Sequence, residues 1–333
     1  MNNNKFIAVL GCGVWGKNIV RNFYNLGALH TVCDLDHENL AKMKAQYPEI
    51  NTSSNYDEVL SNPEIKAICV VTPSHTHFKM VMKALETGHH VYVEKPISTV
   101  SSEAQELKDV ASDAGLTLMV GHLLLYHPAV NRLRTLIKEG ALGDIKYVQS
   151  DRLNVNYFAN DRSVMWDLAP HDVSMVSYVL DKEPIKVLSA TGASTRREGV
   201  YDITHITLEF EGGIKAQISD SWITPQKHVT LLVRGTHSTA ILDDTLPHQK
   251  LKIYDNNSPN SCDIEVPDYI EIEPLKLECE HFIKCCLEHK IPRSSGENGF
   301  MTVKILEEAE KMMFGDKTKE LDKLDFALSR LKR

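Results

Sequence analysis

Over the first 122 residues, short apolar runs alternate with longer amphipathic stretches, a rhythm that predicts strands at 5–10, 30–34, 67–72, 90–94 and 117–121. Between them, apolar positions recur at helical spacing over 14–26, 37–46, 77–87 and 101–114, with Gly27, Gly88 and Gly115 placed where helices stop. The run Ile68-Cys69-Val70-Val71 is apolar at every position, as expected of a strand covered on both faces. Strands and helices alternating in this way predict a doubly wound parallel α/β domain over residues 1–122.

After Gly121 the rhythm changes. A helical pattern at 128–139, a strand from 145 and a helix over 164–180 precede strand-like runs from 185 to 254, broken by Gly212-Gly213 and Asp243-Asp244. Helical patterns return at 274–288 and 298–314, and the chain ends in a charged stretch. This order predicts a second, α+β domain over 123–333 built on a mostly antiparallel sheet.

Composition narrows the class. Of 333 residues, 42% are hydrophobic and 25% charged, the balance of a globular protein, and a formal charge of −8 argues against a general nucleic-acid or anionic-membrane binder. No apolar run approaches the ~20 residues that span a bilayer, and the apolar stretch near the N-terminus is too short for a signal peptide, so a cytoplasmic location is expected. Seven scattered cysteines suggest no disulfide framework. His75-x-His77 and His89-His90 lack the accompanying Cys or carboxylate spacing of a zinc site, so no metal is expected.

Gly11-Cys12-Gly13-Val14-Trp15-Gly16 follows the first strand and opens a helix, the context in which a G-x-G-x-x-G run reads as a dinucleotide fingerprint. Asp34 ends the second strand, where a carboxylate accepts hydrogen bonds from ribose hydroxyls. With Asp36 close behind and no Lys or Arg placed to meet a 2′-phosphate, the cofactor is expected to be NAD rather than NADP. Glu94-Lys95-Pro96 puts a lysine at the carboxyl end of a strand, the ligand-binding edge of such sheets. Further on, Trp166-Asp167-Leu168-Ala169-Pro170-His171-Asp172 opens a helix, with Pro170 expected in its first turn and Asp167 and His171 one turn apart. A Lys, an Asp and a His suit alcohol oxidation. A His titrating near neutrality can take the hydroxyl proton, Lys95 can stabilise the developing alkoxide, and Asp167 can orient substrate or set protonation states.

Together, these motifs with Val71-Thr72-Pro73-Ser74-His75-Thr76-His77, the Pro274-Leu-x-x-Glu-x-x-x-Phe282 stretch and Pro292-x-x-Ser-Ser-Gly296 make the chain resemble the glucose-fructose oxidoreductase, inositol dehydrogenase and MocA family along nearly its whole length. The resemblance implies a Rossmann domain, a C-terminal α+β domain with a large open sheet, and homo-dimers or homo-tetramers. It implies a cis Lys95-Pro96 bond, with Lys95, Asp167 and His171 as the catalytic set. It also implies that Gly11, Gly13, Val14, Trp15, Gly16, Asp34, Thr72, Pro73, His77, Glu94, Lys95 and Trp166 hold NAD. Many members carry an Arg shortly after the fifth strand; here the chain reads Gly121-His122-Leu-Leu-Leu-Tyr126-His127-Pro128, and His122 or Tyr126 are the candidates to replace it.

Leu125-Tyr126-His127-Pro128-Ala129-Val130 is most similar to members that oxidise C3 of UDP-N-acetylglucosamine and pass the 3-keto sugar to an aminotransferase. Arg152, Asn154, Asn156 and Tyr157, then Arg196 and Arg197, are candidate ligands for a diphosphate or base. Three alternatives stay open: oxidation of a free polyol, inositol or monosaccharide; an NAD-binding sensor without catalysis; and redox-neutral chemistry on tightly held NAD.

Overall fold

The computed structural model describes residues 5–155, 163–258 and 264–315, which pack as two units. The units are not consecutive stretches of chain. The first comprises the described residues up to Tyr126 together with Ile272–Val303, and the second His127–Glu271 and the described residues from Lys304. A single boundary near residue 122 therefore misassigns the segment 272–303, whose helix returns to the N-terminal sheet.

In the first unit, β1 (Ile7–Leu10), α1 (Gly16–Asn25), β2 (Leu29–Cys33), α2 (His37–Gln46), β3 (Asn51–Ser53), α3 (Tyr56–Ser61), β4 (Ala67–Val70), α4 (His77–Glu86), β5 (His90–Glu94), α5 (Ser101–Asp113) and β6 (Leu118–Gly121) follow in order. The sheet order is β3-β2-β1-β4-β5-β6 with every pairing parallel. All residues of β1, β2, β4 and β6 are buried, as the continuous apolar runs of β1 and β4 predict; β2 buries the polar His30 and Thr31 as well. The pattern does not reveal β3 and α3. Asn51-Thr52-Ser53 is polar and partly exposed, and α3 is one short stretch held by Asn55, whose side chain accepts from the Asp57 and Glu58 N–H groups. Gly27, Gly88 and Gly115 end α1, α4 and α5 with φ of +72°, +82° and +64°, conformations that side chains with a Cβ avoid.

Beyond the second-unit elements given below, α8 (Pro274–Glu288) lies in the first unit. Its Phe282 packs edge-on against Phe23 of α1 and Tyr92 of β5, at 6.2 and 5.8 Å between centroids. The Val120 N–H donates to the Ser294 carbonyl at 2.8 Å and Met119 bridges Ser295, so the segment after α8 covers the β6 edge.

The second unit contains α6 (Pro128–Lys138), β7 (Ile145–Val155), α7 (Val164–Leu180), β8 (Pro184–Ala193), β9 (Ile203–Phe210), β10 (Lys215–Ser221), β11 (Ile223–Gly235), β12 (Ser238–Asp243), β13 (Leu251–Asp255) and β14 (Ile264–Glu265), with α9 (Gly296–Phe314) entering it from Lys304. These strands form one eight-stranded sheet, β14-β13-β12-β11-β7-β10-β9-β8, antiparallel except between β7 and β10. Gly212 and Gly213, at φ +82° and +75°, make the β9–β10 hairpin with the two left-handed residues such a turn requires. Val164 and Leu168 of α7 pack on the fully buried Trp222, which fixes this helix on the sheet. Among the described residues, no helix is long and apolar enough to cross a membrane.

Candidate active site

The three loop glycines have different jobs. Gly11 sits at φ +88°, and a Cβ there would lie 2.6 Å from the Val71 carbonyl oxygen; one at Gly16 would lie 2.1 Å from the Gly11 oxygen. Both are demanded by close backbone packing within the fold. A Cβ on Gly13 would meet no protein atom within 4 Å. That opening lies just ahead of α1, whose first turn carries no acidic side chain, so the helix's partial positive charge faces it uncontested. The loop thus fits a pyrophosphate: two glycines build the turn, and the third leaves room for close approach. Val14 is 87% exposed.

Asp34 follows β2, beside this loop. Its Oδ2 accepts from the Cys12 N–H at 2.8 Å and its Oδ1 from the Asp36 N–H at 2.9 Å. Burial works against its charge, but these backbone donors outweigh it and hold the carboxyl below its ordinary range. The group is therefore an oriented anion, as ribose recognition requires. Asp36, exposed, caps α2 by accepting from the Glu38 and Asn39 N–H groups.

At the carboxyl end of β5, Glu94 and Lys95 are half-buried, and the Lys95-Pro96 bond is cis. The Trp15 indole N–H donates to Glu94 Oε1 at 2.7 Å, tying the glycine loop to this strand end. His77, expected against the cofactor, is buried with Nδ1 at 2.7 Å from the Pro96 carbonyl and Nε2 at 2.8 Å from the Thr72 carbonyl. It ties the turn after β4 to the turn after β5. Thr72 is half-buried, with its hydroxyl 2.7 Å from that of Thr76, and Pro73 is exposed, so this turn presents both along the same sheet edge.

The two candidates for the missing Arg differ. Tyr126 is 2% exposed, its hydroxyl is 3.0 Å from Ser294 Oγ, and Arg293 lies over its ring at 5.0 Å. Its polar atom and its ring face are engaged in packing. His122 is 1% exposed, and neither ring nitrogen has a hydrogen-bond partner among the described residues. Burial, and after it the nearby Lys95 charge, push this imidazole down to about 3, so it is neutral at physiological pH.

In the second unit, α7 begins at Val164, so Pro170 lies inside the helix rather than in its first turn. Ser174 Oγ donates to the Pro170 carbonyl at 2.7 Å. Of the 17 residues of α7, all are buried except Asp167, His171 and Tyr178. This apolar helix thus carries an acid and an imidazole one turn apart, both half-buried, with the His171 Nδ1 atom itself enclosed. Directly after His171, Asp172 is buried and takes Arg152 of β7 in a two-pronged pair, Nε to Oδ2 at 2.7 Å and Nη2 to Oδ1 at 3.1 Å, with Ser150 Oγ donating at 2.6 Å. Arg152, expected to meet substrate, thus has its guanidinium committed to Asp172. Trp166 is buried too, and its indole N–H donates to Glu310 Oε1 at 2.8 Å. Asn154 is half-buried and its carbonyl accepts from Thr224 Oγ1 at 2.9 Å. Arg196 is held by Asp202. Tyr157 and Asn156 lie outside the described residues.

The sequence reading did not single out Asp220. It is paired in register with Arg152 on β7 and Thr204 on β9, is fully buried, and neither carboxyl oxygen has a hydrogen-bond partner among the described residues. Burial first, then Asp172, push its carboxyl well above the usual range despite Arg152. Only the alternation of β10, Ile218-Ser219-Asp220-Ser221, hinted that this acid faces inward. Among the described residues, no group of three or more His, Cys, Asp or Glu is arranged to hold a metal ion.

A parallel sheet in this order, a glycine loop open to a pyrophosphate and an oriented acid after β2 define a dinucleotide-binding oxidoreductase. Residues 5–122 match the oxidoreductase family's NAD-binding Rossmann fold (GFO_IDH_MocA), and residues 130–241 match the GFO/IDH/MocA C-terminal domain. The chain belongs to that family and is an NAD-binding oxidoreductase. It is similar to scyllo-inositol 2-dehydrogenase (NAD(+)) of Bacillus subtilis, 27% identical over 71% of each chain. It is also similar to UDP-N-acetylglucosamine 3-dehydrogenase of Acidithiobacillus ferrooxidans, 28% identical over 65% of this chain and 62% of that one. A solved structure of the latter enzyme covers 93% of this chain and 98% of its own with a TM-score of 0.83 at 22% identity, a likeness of fold. A levoglucosan dehydrogenase in complex with NADH and levoglucosan has the same fold at TM-score 0.81 and 18% identity.

Proposed function

We propose that the protein oxidises a secondary sugar hydroxyl with NAD, and that its substrate is UDP-N-acetylglucosamine, converted at C3 to the 3-keto sugar. The observation that carries the reading is the placement of Asp167 and His171 one turn apart on α7, the two residues of its first two turns that are not fully buried. The substrate choice is supported by the UDP-N-acetylglucosamine 3-dehydrogenase among the relatives and by the Leu125 to Val130 motif.

Oxidation removes a hydride from carbon and a proton from its hydroxyl. Bound NAD supplies the hydride acceptor. His171 takes the hydroxyl proton at a ring nitrogen, and the Lys95 ammonium stabilises the charge that develops on the oxygen. Asp167 orients the substrate and favours the charged form of His171 once the proton has moved. NAD rather than NADP follows from Asp34 and Asp36, whose charges repel a 2′-phosphate. The exposed Ile185 and Leu188 on β8 support a homo-oligomer formed through the large sheet. The six described cysteines, all buried and unpaired as disulfides, support a reducing cytoplasm. An aminotransferase acting on the 3-keto group is the expected next enzyme.

The test is NADH formation with UDP-N-acetylglucosamine and NAD, run beside scyllo-inositol and free hexoses, each with and without 2-oxoglutarate to expose recycling of bound NADH. Signal with the nucleotide sugar supports the assignment. Signal confined to the polyol favours a second reading, to which one observation lends weight: Arg152 and Arg196, expected to meet a diphosphate, are held by Asp172 and Asp202.

A further inference from the structure

Glu278 lies on α8 and belongs to the Pro-Leu-x-x-Glu-x-x-x-Phe motif, to which the chemistry above gives no role. It is 0% exposed. Its Oε2 is 3.3 Å from the Tyr92 hydroxyl, and Oε1 has no hydrogen-bond partner among the described residues. Tyr92, also 0% exposed, has its hydroxyl 2.9 Å from Glu94 Oε1, the same oxygen that accepts from the Trp15 indole. Glu94 Oε2 in turn accepts from the Lys95 N–H at 3.2 Å. Room for this arrangement depends on Gly121, where a Cβ would lie 2.6 Å from the Tyr92 hydroxyl and 2.9 Å from Glu94.

A phenol has one hydrogen to donate, and here two carboxyl groups face it. The shorter contact and the three converging donors mark Glu94 as the acceptor. Glu278 would then be a buried, uncompensated anion beside a second anion unless it carries a proton, in which case it donates to the Tyr92 oxygen and the chain closes. Burial raises both carboxyls, but the Trp15, Tyr92 and Lys95 donors counter it at Glu94, whereas at Glu278 the Glu94 charge reinforces it and the group goes well above its usual range, in agreement with that order. The direction of every bond is thereby set: Glu278 to Tyr92, Tyr92 to Glu94.

We propose that Glu278 is a positioning residue that acts as a neutral acid through Tyr92 to keep Glu94 an anion at the nicotinamide end of the cofactor site, so that the oxidised cofactor is favoured over the reduced one. The preference follows from charge: the nicotinamide ring is cationic when oxidised and neutral when reduced, and an adjacent carboxylate attracts only the former. The inference rests on the reading that Glu94 lines the nicotinamide.

The test measures dissociation constants for NADH, by its fluorescence, and for NAD, by competition, in wild type and in E278Q, E278L, Y92F and E94Q, with thermal melting as a check on folding. E94Q, which removes the charge, is expected to shift the NADH-to-NAD affinity ratio toward NADH by at least about tenfold. Y92F, which removes one of the three donors to Glu94, and E278L, which removes the donor to the Tyr92 oxygen, both weaken the hold on the Glu94 anion and are expected to shift it in the same direction. E278Q retains a donor to the Tyr92 oxygen and is expected to hold the ratio close to wild type. If E278L fails to fold, Y92F carries the comparison. A ratio that moves in E94Q but not in folded Y92F would overturn the chain. A shift in E278Q as large as in E278L would show that a proton donor at position 278 does not matter, and would overturn it also. A ratio unmoved in E94Q would instead overturn the underlying reading of Glu94.

Discussion

Replacing Gly13 by alanine separates what the loop does for the fold from what it does for the cofactor. The added Cβ meets no protein atom within 4 Å, and Gly13 is not among the residues with positive φ, so the folded chain accommodates alanine without strain. Restricting the unfolded chain then contributes about 0.4–1 kcal/mol in favour of folding. For a domain of this size, that is a rise in melting temperature of roughly 1–4 °C. The same methyl occupies the space that a pyrophosphate needs. Loss of one charge-assisted bond from a backbone N–H, about 1.5–3 kcal/mol, weakens NAD binding about 10–100-fold. Titration calorimetry with NAD, paired with melting curves with and without NAD, reads both effects, because the ligand-induced rise in melting temperature falls with affinity. G16A is the control of opposite character: its Cβ would sit 2.1 Å from the Gly11 oxygen, so the backbone must move, at roughly 3 kcal/mol or more, and stability drops. A stable G13A that binds NAD as wild type does would refute the assignment of Gly13 to the pyrophosphate.

D34A is expected to weaken NAD at least tenfold while the chemical step with saturating cofactor changes little; single-turnover rates and the NAD dissociation constant together check this. H171A is expected to lower turnover by ~10²–10⁴ with NAD affinity nearly intact, and steady-state kinetics at saturating substrate measures it. Asp220 keeps its proton in the fold at pH values where an unfolded carboxyl has lost it, so this group's contribution to stability declines as pH rises above about 4. D220N removes the effect, and its melting temperature is expected to exceed that of wild type near pH 7 by more than at pH 4; parallel melting curves at the two pH values decide.

The Rossmann strands were legible because strands covered on both faces are written as unbroken apolar runs, and the glycine stops because a left-handed residue ends each helix. Polar and very short, β3 and α3 carry no such signature. The return of 272–303 to the first sheet depends on Phe282 meeting Phe23 and Tyr92, a match of faces nearly 200 residues apart or more that no local pattern contains. The site shows the same division. Gly11, Gly13, Gly16 and Asp34 were readable from spacing, whereas Arg152 and Tyr126 were read as ligands because exposure and partners are tertiary properties: Asp172 claims the one, and Ser294 with Arg293 the other. Glu278 and Asp220 escaped notice for the converse reason, since an acid in an amphipathic helix or an alternating strand looks solvated until the fold buries it.

The central claim is hydride transfer from a sugar carbon to NAD, and isotope transfer tests it most directly. The protein is incubated with NAD and UDP-N-acetylglucosamine carrying deuterium at C3, and the nicotinamide product is analysed by mass spectrometry. Deuterium in the reduced nicotinamide, formed ~10²–10⁴ more slowly when His171 is replaced by alanine, is the predicted result. Reduced cofactor without deuterium would contradict oxidation at C3, and no reduction with this or any sugar or polyol offered would contradict the dehydrogenase assignment itself.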